Sequence, residues 1–305
     1  MTDSELQMLI QQLFPRGALV RAWALMGGGS AHMSALEVRL PDGSTRRAVV
    51  RQPGEAALRE NPSAAGDEFR LLRALQAGSL PTPAPYLLDD TGENPRFVME
   101  YIEGSPDFTP VDRLRYVRQA AAALAGIHRL DTVDLPYLPP YDAGFAEKFA
   151  ERADDSPETA AIRAALRAAW PFTSLNPPTL LHGDFWPGNL LWRDGELVAV
   201  VDWEDAKLGD PLADVAISRM DMRLILGEDA MHEFTAHYRS LAAVDFTNLP
   251  FWDAFAALRA APYLEVWAQD FLRLGRPDIT EHTMREAHRR FTAHALAQLT
   301  RPPSF

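Results

Sequence analysis

The chain contains no cysteine. Disulfides, zinc–thiolate sites and thiol nucleophiles are therefore excluded, and the composition fits a reducing compartment. It also lacks a basic excess. Its formal net charge is −12, which argues against nucleic acid as a principal partner, because a phosphate backbone calls for a basic surface. Most of the carboxylates read as a solvated, solubilising surface. No uncharged apolar run approaches the length needed to cross a bilayer. The opening residues, MTDSELQMLIQQLF, have no basic region leading into an apolar stretch. They read as a short amphipathic helix, not a signal peptide. The expectation is a cytoplasmic protein with no membrane partner. No internal repeat or low-complexity segment is visible, and oligomeric state leaves no trace.

What is present is 305 residues, 47% of them apolar, ample for two lobes sharing one cleft. Residues 19–26 (LVRAWALM), 33–40 (MSALEVRL) and 46–51 (RRAVVR) read as successive antiparallel strands. The first turn is Gly27-Gly28-Gly29-Ser30 and the second Pro41-Asp42-Gly43-Ser44, with Asp-Gly at its centre. Residues 54–61 read as loop or short helix. Residues 64–77 carry Phe69, Leu72 and Leu75 three apart, a helical spacing, with Gly78 as the stop. Three prolines, Pro81, Pro83 and Pro85, make the next stretch irregular or extended, before a strand over 95–102. A lobe boundary is placed after Glu103, giving an N-terminal lobe of 1–103 and a C-terminal lobe of 104–305. Residues 111–130 and most of 143–170 read as helix. A strand–loop–strand unit follows at 179–203, and 212–299 is mainly helical. The class is α+β: a small antiparallel β lobe with a helix, then a larger, mainly helical lobe.

The chemistry concentrates in two segments. In the first, His182-Gly183-Asp184-Phe185-Trp186-Pro187-Gly188-Asn189 forms a polar loop between apolar runs. In the second, the apolar Leu197–Val201 delivers Asp202 at a strand end, followed by Trp203-Glu204. Phosphoryl transfer depends on position and charge, so a protein must hold magnesium against the donor phosphates. Magnesium takes hard oxygen ligands, typically one or two carboxylates plus waters and phosphates. Asp202 offers a carboxylate and Asn189 an amide oxygen, while Asp184 would orient a substrate hydroxyl and accept its proton. The Asp-x-x-x-x-Asn spacing matches a kinase catalytic loop.

These motifs, with Gly209-Asp210-Pro211, Asp214 and the helix end Ala123–Asp131, resemble the aminoglycoside phosphotransferase and choline kinase-like family over nearly the whole chain. The resemblance implies a two-lobed, protein-kinase-like fold. It further implies a small-molecule kinase moving the γ-phosphate of ATP, with Mg2+, to a hydroxyl acceptor. Asp184 would be the catalytic base, and Asn189 and Asp202 the metal ligands. His182 would brace the loop, and Asp214 would be a structural acid bonding loop backbone. Gly27, Gly28, Gly29 and Ser30 would cover the ATP phosphates, and Glu100 to Ile102 would meet the adenine edge. Two features depart from the pattern. The nucleotide loop is a bare Gly-Gly-Gly-Ser, and the strand position where protein kinases place lysine is Arg51. Arginine stays charged but presents a planar fork instead of an ammonium. Its helix partner is Glu68 or, second, Glu60.

Other readings compete. His182 and Asp184 could belong to a hydrolytic metal site, though no HExxH-type partner accompanies them. Arg51 supports a nucleotide-binding module with little or no transfer, against the intact Asp184, Asn189 and Asp202. A protein kinase would show an Ala-Pro-Glu element after Asp202, and none follows. His128 reads as a capping or packing residue. Trp186 is either a wall of the acceptor site or a packed aromatic, and Trp252, Tyr263, Trp267 and Phe271 read as core before acceptor stripe. The acceptor site is expected among 212–299, where Asp221, Glu228, Asp229, Glu265 and Asp270 could meet a cation. The resemblance does not name the acceptor.

Overall fold

The computed structural model of the protein describes residues 3–25, 31–78, 80–92, 94–141 and 156–299. The Gly27–Ser30 turn, and the part of the 143–170 helical stretch before residue 156, lie outside them. Two compact units emerge, one comprising 1–104 with 198–204, the other 105–197 with 205–305.

The first unit is built on a five-stranded antiparallel sheet in the order β1-β2-β3-β5-β4. Its strands are β1 (Ala18–Ala24), β2 (Ala31–Arg39), β3 (Thr45–Pro53), β4 (Pro85–Asp89) and β5 (Arg96–Glu100). The β2–β3 register, with Leu36 opposite Ala48 and Arg39 opposite Thr45, is set by the expected turn. There Ser44 donates to Asp42 Oδ1 from its backbone N (2.9 Å) and its hydroxyl (2.7 Å). One face of the sheet is covered by α1 (Asp3–Leu13), whose Leu6, Leu9 and Ile10 are buried with Leu36, Val38, Ala48, Val50 and Val98. Burying each of those three side chains stabilises the unit by roughly 1.5–3 kcal/mol. After the short α2 (Glu55–Glu60), α3 (Ala64–Ala77) packs on β3, β4 and β5. It buries Leu71, Leu72 and Leu75, with Phe69 edge-on to Phe97. Side chains alternate across a strand, so Arg51 leaves β3 on the face opposite Val50. The proline-rich stretch yields β4, an edge strand starting at Pro85. Proline lacks a ladder N–H and is tolerated at such a place.

The second unit is mainly helical. Its helices are α4 (Arg113–His128), α5 (Pro157–Ala169), α6 (Leu212–Leu226), α7 (Glu228–Leu241), α8 (Leu249–Ala260), α9 (Leu264–Arg273) and α10 (Glu281–Leu299). α4 starts where Asp112 accepts a bond from Arg115 N (2.9 Å), and α5 where Ser156 accepts from Thr159 N (3.2 Å); such caps satisfy otherwise orphaned donors. Every residue of α6 except Asp221 is buried, as expected of a helix surrounded by others; α7, α8 and α10 pack against it. Arg219 of α6 forks onto Asp253 of α8, Nε to Oδ1 at 2.9 Å and Nη2 to Oδ2 at 3.0 Å. The chain between α5 and α6 carries β6 (Thr179–Leu181), a 3-10 turn (Pro187–Asn189), β7 (Leu190–Arg193), β8 (Glu196–Val200) and β9 (Lys207–Gly209). β6 pairs antiparallel with β9, Leu180 opposite Leu208. No described helix is long and apolar enough to cross a membrane.

Candidate active site

β6 is apolar and buried at Leu180 and Leu181, which anchors the loop that follows it. Gly183 turns that loop with φ +82°, and a Cβ there would sit 2.3 Å from Asp205 O. Only glycine accommodates both the left-handed backbone and the contact. The loop is pinned from beneath by Asp214 in the first turn of α6. Its carboxylate accepts backbone bonds from His182 N (2.7 Å, Oδ2) and Gly183 N (2.9 Å, Oδ1). His128 stands 3.2 Å from the same carboxylate through Nε2, and its Nδ1 lies 2.6 Å from Tyr238 Oη. Asp214 is wholly buried. Burial works against its charge, yet the bonds from His128 and the loop backbone outweigh it and hold its pKa below the ordinary carboxylate value. Ser218, one turn on, donates to Phe185 O at 2.9 Å.

This bracing fixes Asp184. Its Oδ1 accepts from Arg259 Nη2 at 2.7 Å, and Arg259 Nη1 donates to Gly183 O at 3.0 Å. Asn189 Nδ2 donates to Asp184 O (2.9 Å) and to Oδ2 (3.1 Å). The Trp186-Pro187-Gly188 turn sets up that approach: a Cβ on Gly188 would lie 2.1 Å from the Trp186 ring. Burial raises the Asp184 pKa, and the Arg259 charge opposes the rise. Asp184 opens on a cavity of about 250 Å³ among α6, α8, α9 and α10. Asp221 and Asp270 reach this cavity, whereas Glu228, Asp229 and Glu265 do not line it. Trp186 is both wall and packed aromatic, since it lines the cavity and stacks on Phe108 at 6.2 Å. Trp267 and Phe271 also line it. Trp252 is core, and Tyr263 is half exposed beside Trp267.

A second charged cluster belongs to the first unit. Arg51, 2% exposed, donates from Nε to Glu68 Oε2 at 2.8 Å. Its Nη2 bonds both Asp202 Oδ1 (2.9 Å) and Glu204 Oε2 (2.7 Å). The sequence thus paired Arg51 with the right helix residue, and Glu204 adds a third carboxylate. Burial disfavours the guanidinium's charge, but the three carboxylates prevail and raise its pKa. Asp202 itself holds φ +67°, an unusual conformation for a non-glycine residue and one found at functional sites. Glu100 ends β5, its backbone N bonded to Ala84 O at 2.8 Å, and Ile102 follows in an irregular segment.

Residues 30–255 match the phosphotransferase enzyme family. The chain belongs to that family. Phosphotransferases and kinases also supply the structural likeness. Macrolide 2'-phosphotransferase MphH from Brachybacterium faecium aligns with a TM-score of 0.62 at 19% identity, covering 99% of both chains. Amicoumacin kinase hAmiN, solved in complex with AMP-PNP, Ca2+ and Ami, aligns with a TM-score of 0.65 at 16% identity and covers 98% of both. These likenesses show the kinase-like α+β fold. Among curated proteins, mouse acyl-CoA dehydrogenase family member 10 is 30% identical over 207 residues, 59% of this chain and 18% of that protein. The chain spans between 18% and 36% of the length of the first such relatives it matches.

The family's donor chemistry suits the residues present. Asn189 spends its amide nitrogen on Asp184, and its amide oxygen has no hydrogen bond among the described residues. That oxygen in the second unit, and the Asp202 carboxylate in the first, are each a hard donor of the kind Mg2+ takes. Among the described residues no group of three or more His, Cys, Asp or Glu side chains could by itself hold a metal ion. Arg259 escaped the sequence reading. It stands 75 residues from Asp184, and its one local signal is a lone charge within the apolar run Ala254–Ala261.

Proposed function

We propose that this phosphotransferase moves the γ-phosphoryl group of ATP to the hydroxyl of a small molecule. The observation that carries the reading is Asp184, fixed by Arg259 and Asn189 on the wall of a cavity. In the reaction Asp184 orients the acceptor hydroxyl and takes its proton as the acceptor oxygen bonds to the γ-phosphorus. The bond from that phosphorus to the β-phosphate oxygen breaks, ADP departs, and Asp184 passes the proton to water. A positioned base of this kind contributes about 10²–10⁴ in rate. Arg259 and Asn189 restrict the carboxylate to one orientation, and Asp214 keeps the loop backbone from shifting. Asn189 and Asp202 are the residues that would hold Mg2+, which when bound neutralises charge on the phosphates. Gly27–Ser30, Arg51 and the Glu100–Ile102 segment are assigned to ATP on the family pattern.

The saturation of Arg51 by three carboxylates favours a second reading, a module that binds nucleotide and transfers little. Melting temperature with ATP alone, MgCl2 alone and both together tests the donor half. A ligand held only by the folded state adds about 2.7 kcal/mol at a hundredfold excess over Kd. The expected result is a rise that needs both components and shrinks in Asp202→Ala. No shift at millimolar concentrations would refute the donor site. A shift without ADP release in the presence of any acceptor would favour the second reading.

A further inference from the structure

The acceptor cavity is walled mainly by carbon. Ile217, Met220 and Leu224 of α6 face Trp267 and Phe271 of α9, with Met284 of α10 closing the space. Its polar groups cancel. Asp184 is paired with Arg259 at 2.7 Å. Asp270 is paired with Arg273 at 2.9 Å. Asp221 is the one residue of α6 that is not buried. It lines the cavity, and burial, reinforced by the charge of Asp184 and opposed by that of Arg259, pushes its pKa up to about 8. No hydrogen bond or ion pair reaches it from the described residues. Its protonated form is favoured near neutral pH, and the other two carboxylates of the cavity each face an arginine.

A cationic guest would have to shed its hydration there and displace the Asp221 proton before it met a counter-charge. A carbon skeleton meets walls that match it. We infer that the acceptor is an uncharged alcohol with an apolar carbon body, seated between α6 and α9 with its hydroxyl at Asp184 and a second oxygen within reach of Asp221. This deepens the phosphotransferase reading and rests on it for the transfer step, which is the one written above. The cavity's preference can be read without turnover.

The test takes the full chain and two sets of probes: straight-chain primary alcohols from butanol to decanol, and the cations choline and kanamycin. Binding is measured calorimetrically without nucleotide, and ADP release is then measured with MgATP. The expected result is saturable alcohol binding that tightens about fourfold per added methylene until the cavity is full. Leu274→Lys at the exposed rim should weaken it at least tenfold, as should Leu224→Asp if that buried variant folds. Alcohol phosphorylation with the same chain-length order in KM would complete the case. Alcohols that bind in this order but release no ADP would support the cavity assignment and defeat the phosphotransferase reading. Tighter binding of choline or kanamycin than of octanol, or affinity indifferent to chain length, would overturn the inference. Transfer to the cation would then leave the phosphotransferase reading standing.

Discussion

Replacing Arg51 by methionine keeps much of the side chain's bulk and removes the cation that bonds Glu68, Asp202 and Glu204. Removing one partner from a buried ion pair costs about 3–5 kcal/mol. Here Glu68 is 7% exposed, but Asp202 and Glu204 retain 25% and 29% and can turn toward water. The low end applies: a loss of about 3 kcal/mol, or a fall in Tm of about 5 °C for a chain of this size. The pH dependence has a definite sign. Burial is the main influence on Glu68 and raises its pKa, and Arg51 is what opposes it. In Arg51→Met that opposition is gone, so the folded-state pKa moves further above the unfolded value. Stability from such a group is fully present below the unfolded pKa and lost as pH rises through the folded one. The deficit against wild type should therefore be larger at about pH 8 than at about pH 5. Urea melts of both proteins at the two pH values measure it. A Tm change under about 2 °C, or a deficit that grows on acidification, would refute the reasoning.

Two further substitutions probe the catalytic loop. Gly183→Ala forces a Cβ against Asp205 O at a left-handed φ; it should cost at least about 2 kcal/mol and lower turnover through the displaced Asp184, both visible in parallel melts and ADP-release assays. Arg259→Met removes the charge that opposes the burial-raised pKa of Asp184. Because the proposed base would work ionised, activity should fall as pH drops through that pKa, and the acid limb of the kcat/KM profile should move to higher pH; an unmoved limb would remove Arg259 from control of Asp184.

The helix over 64–77, its stop at Gly78, the Asp-Gly hairpin and the change to helix after residue 111 were legible because apolar spacing and turn chemistry are local signals. The Asp184–Asn189 loop was legible for the same reason, since the five-residue spacing is itself the geometry. The short strand β9 was not, because Lys207–Gly209 has no alternation of its own and exists only by pairing with β6. Nor was the placement of Asp221. The acids proposed as acceptor contacts looked alike in sequence, and only the packing of the helices around the cavity brings Asp221 to its wall and leaves Asp229 and Glu265 off it. Arg259 depends on the packing of α8 beside the loop, a long-range contact that no local pattern encodes.

The most direct test of the account is Asp184→Asn, which keeps the shape of the side chain and its contact with Asn189 while removing the base. The nucleotide-dependent rise in Tm with ATP and MgCl2 should survive, and acceptor-dependent ADP release should fall by about 10²–10⁴. Turnover equal to wild type in a variant that still binds the nucleotide would contradict the central claim that Asp184 takes the proton in phosphoryl transfer.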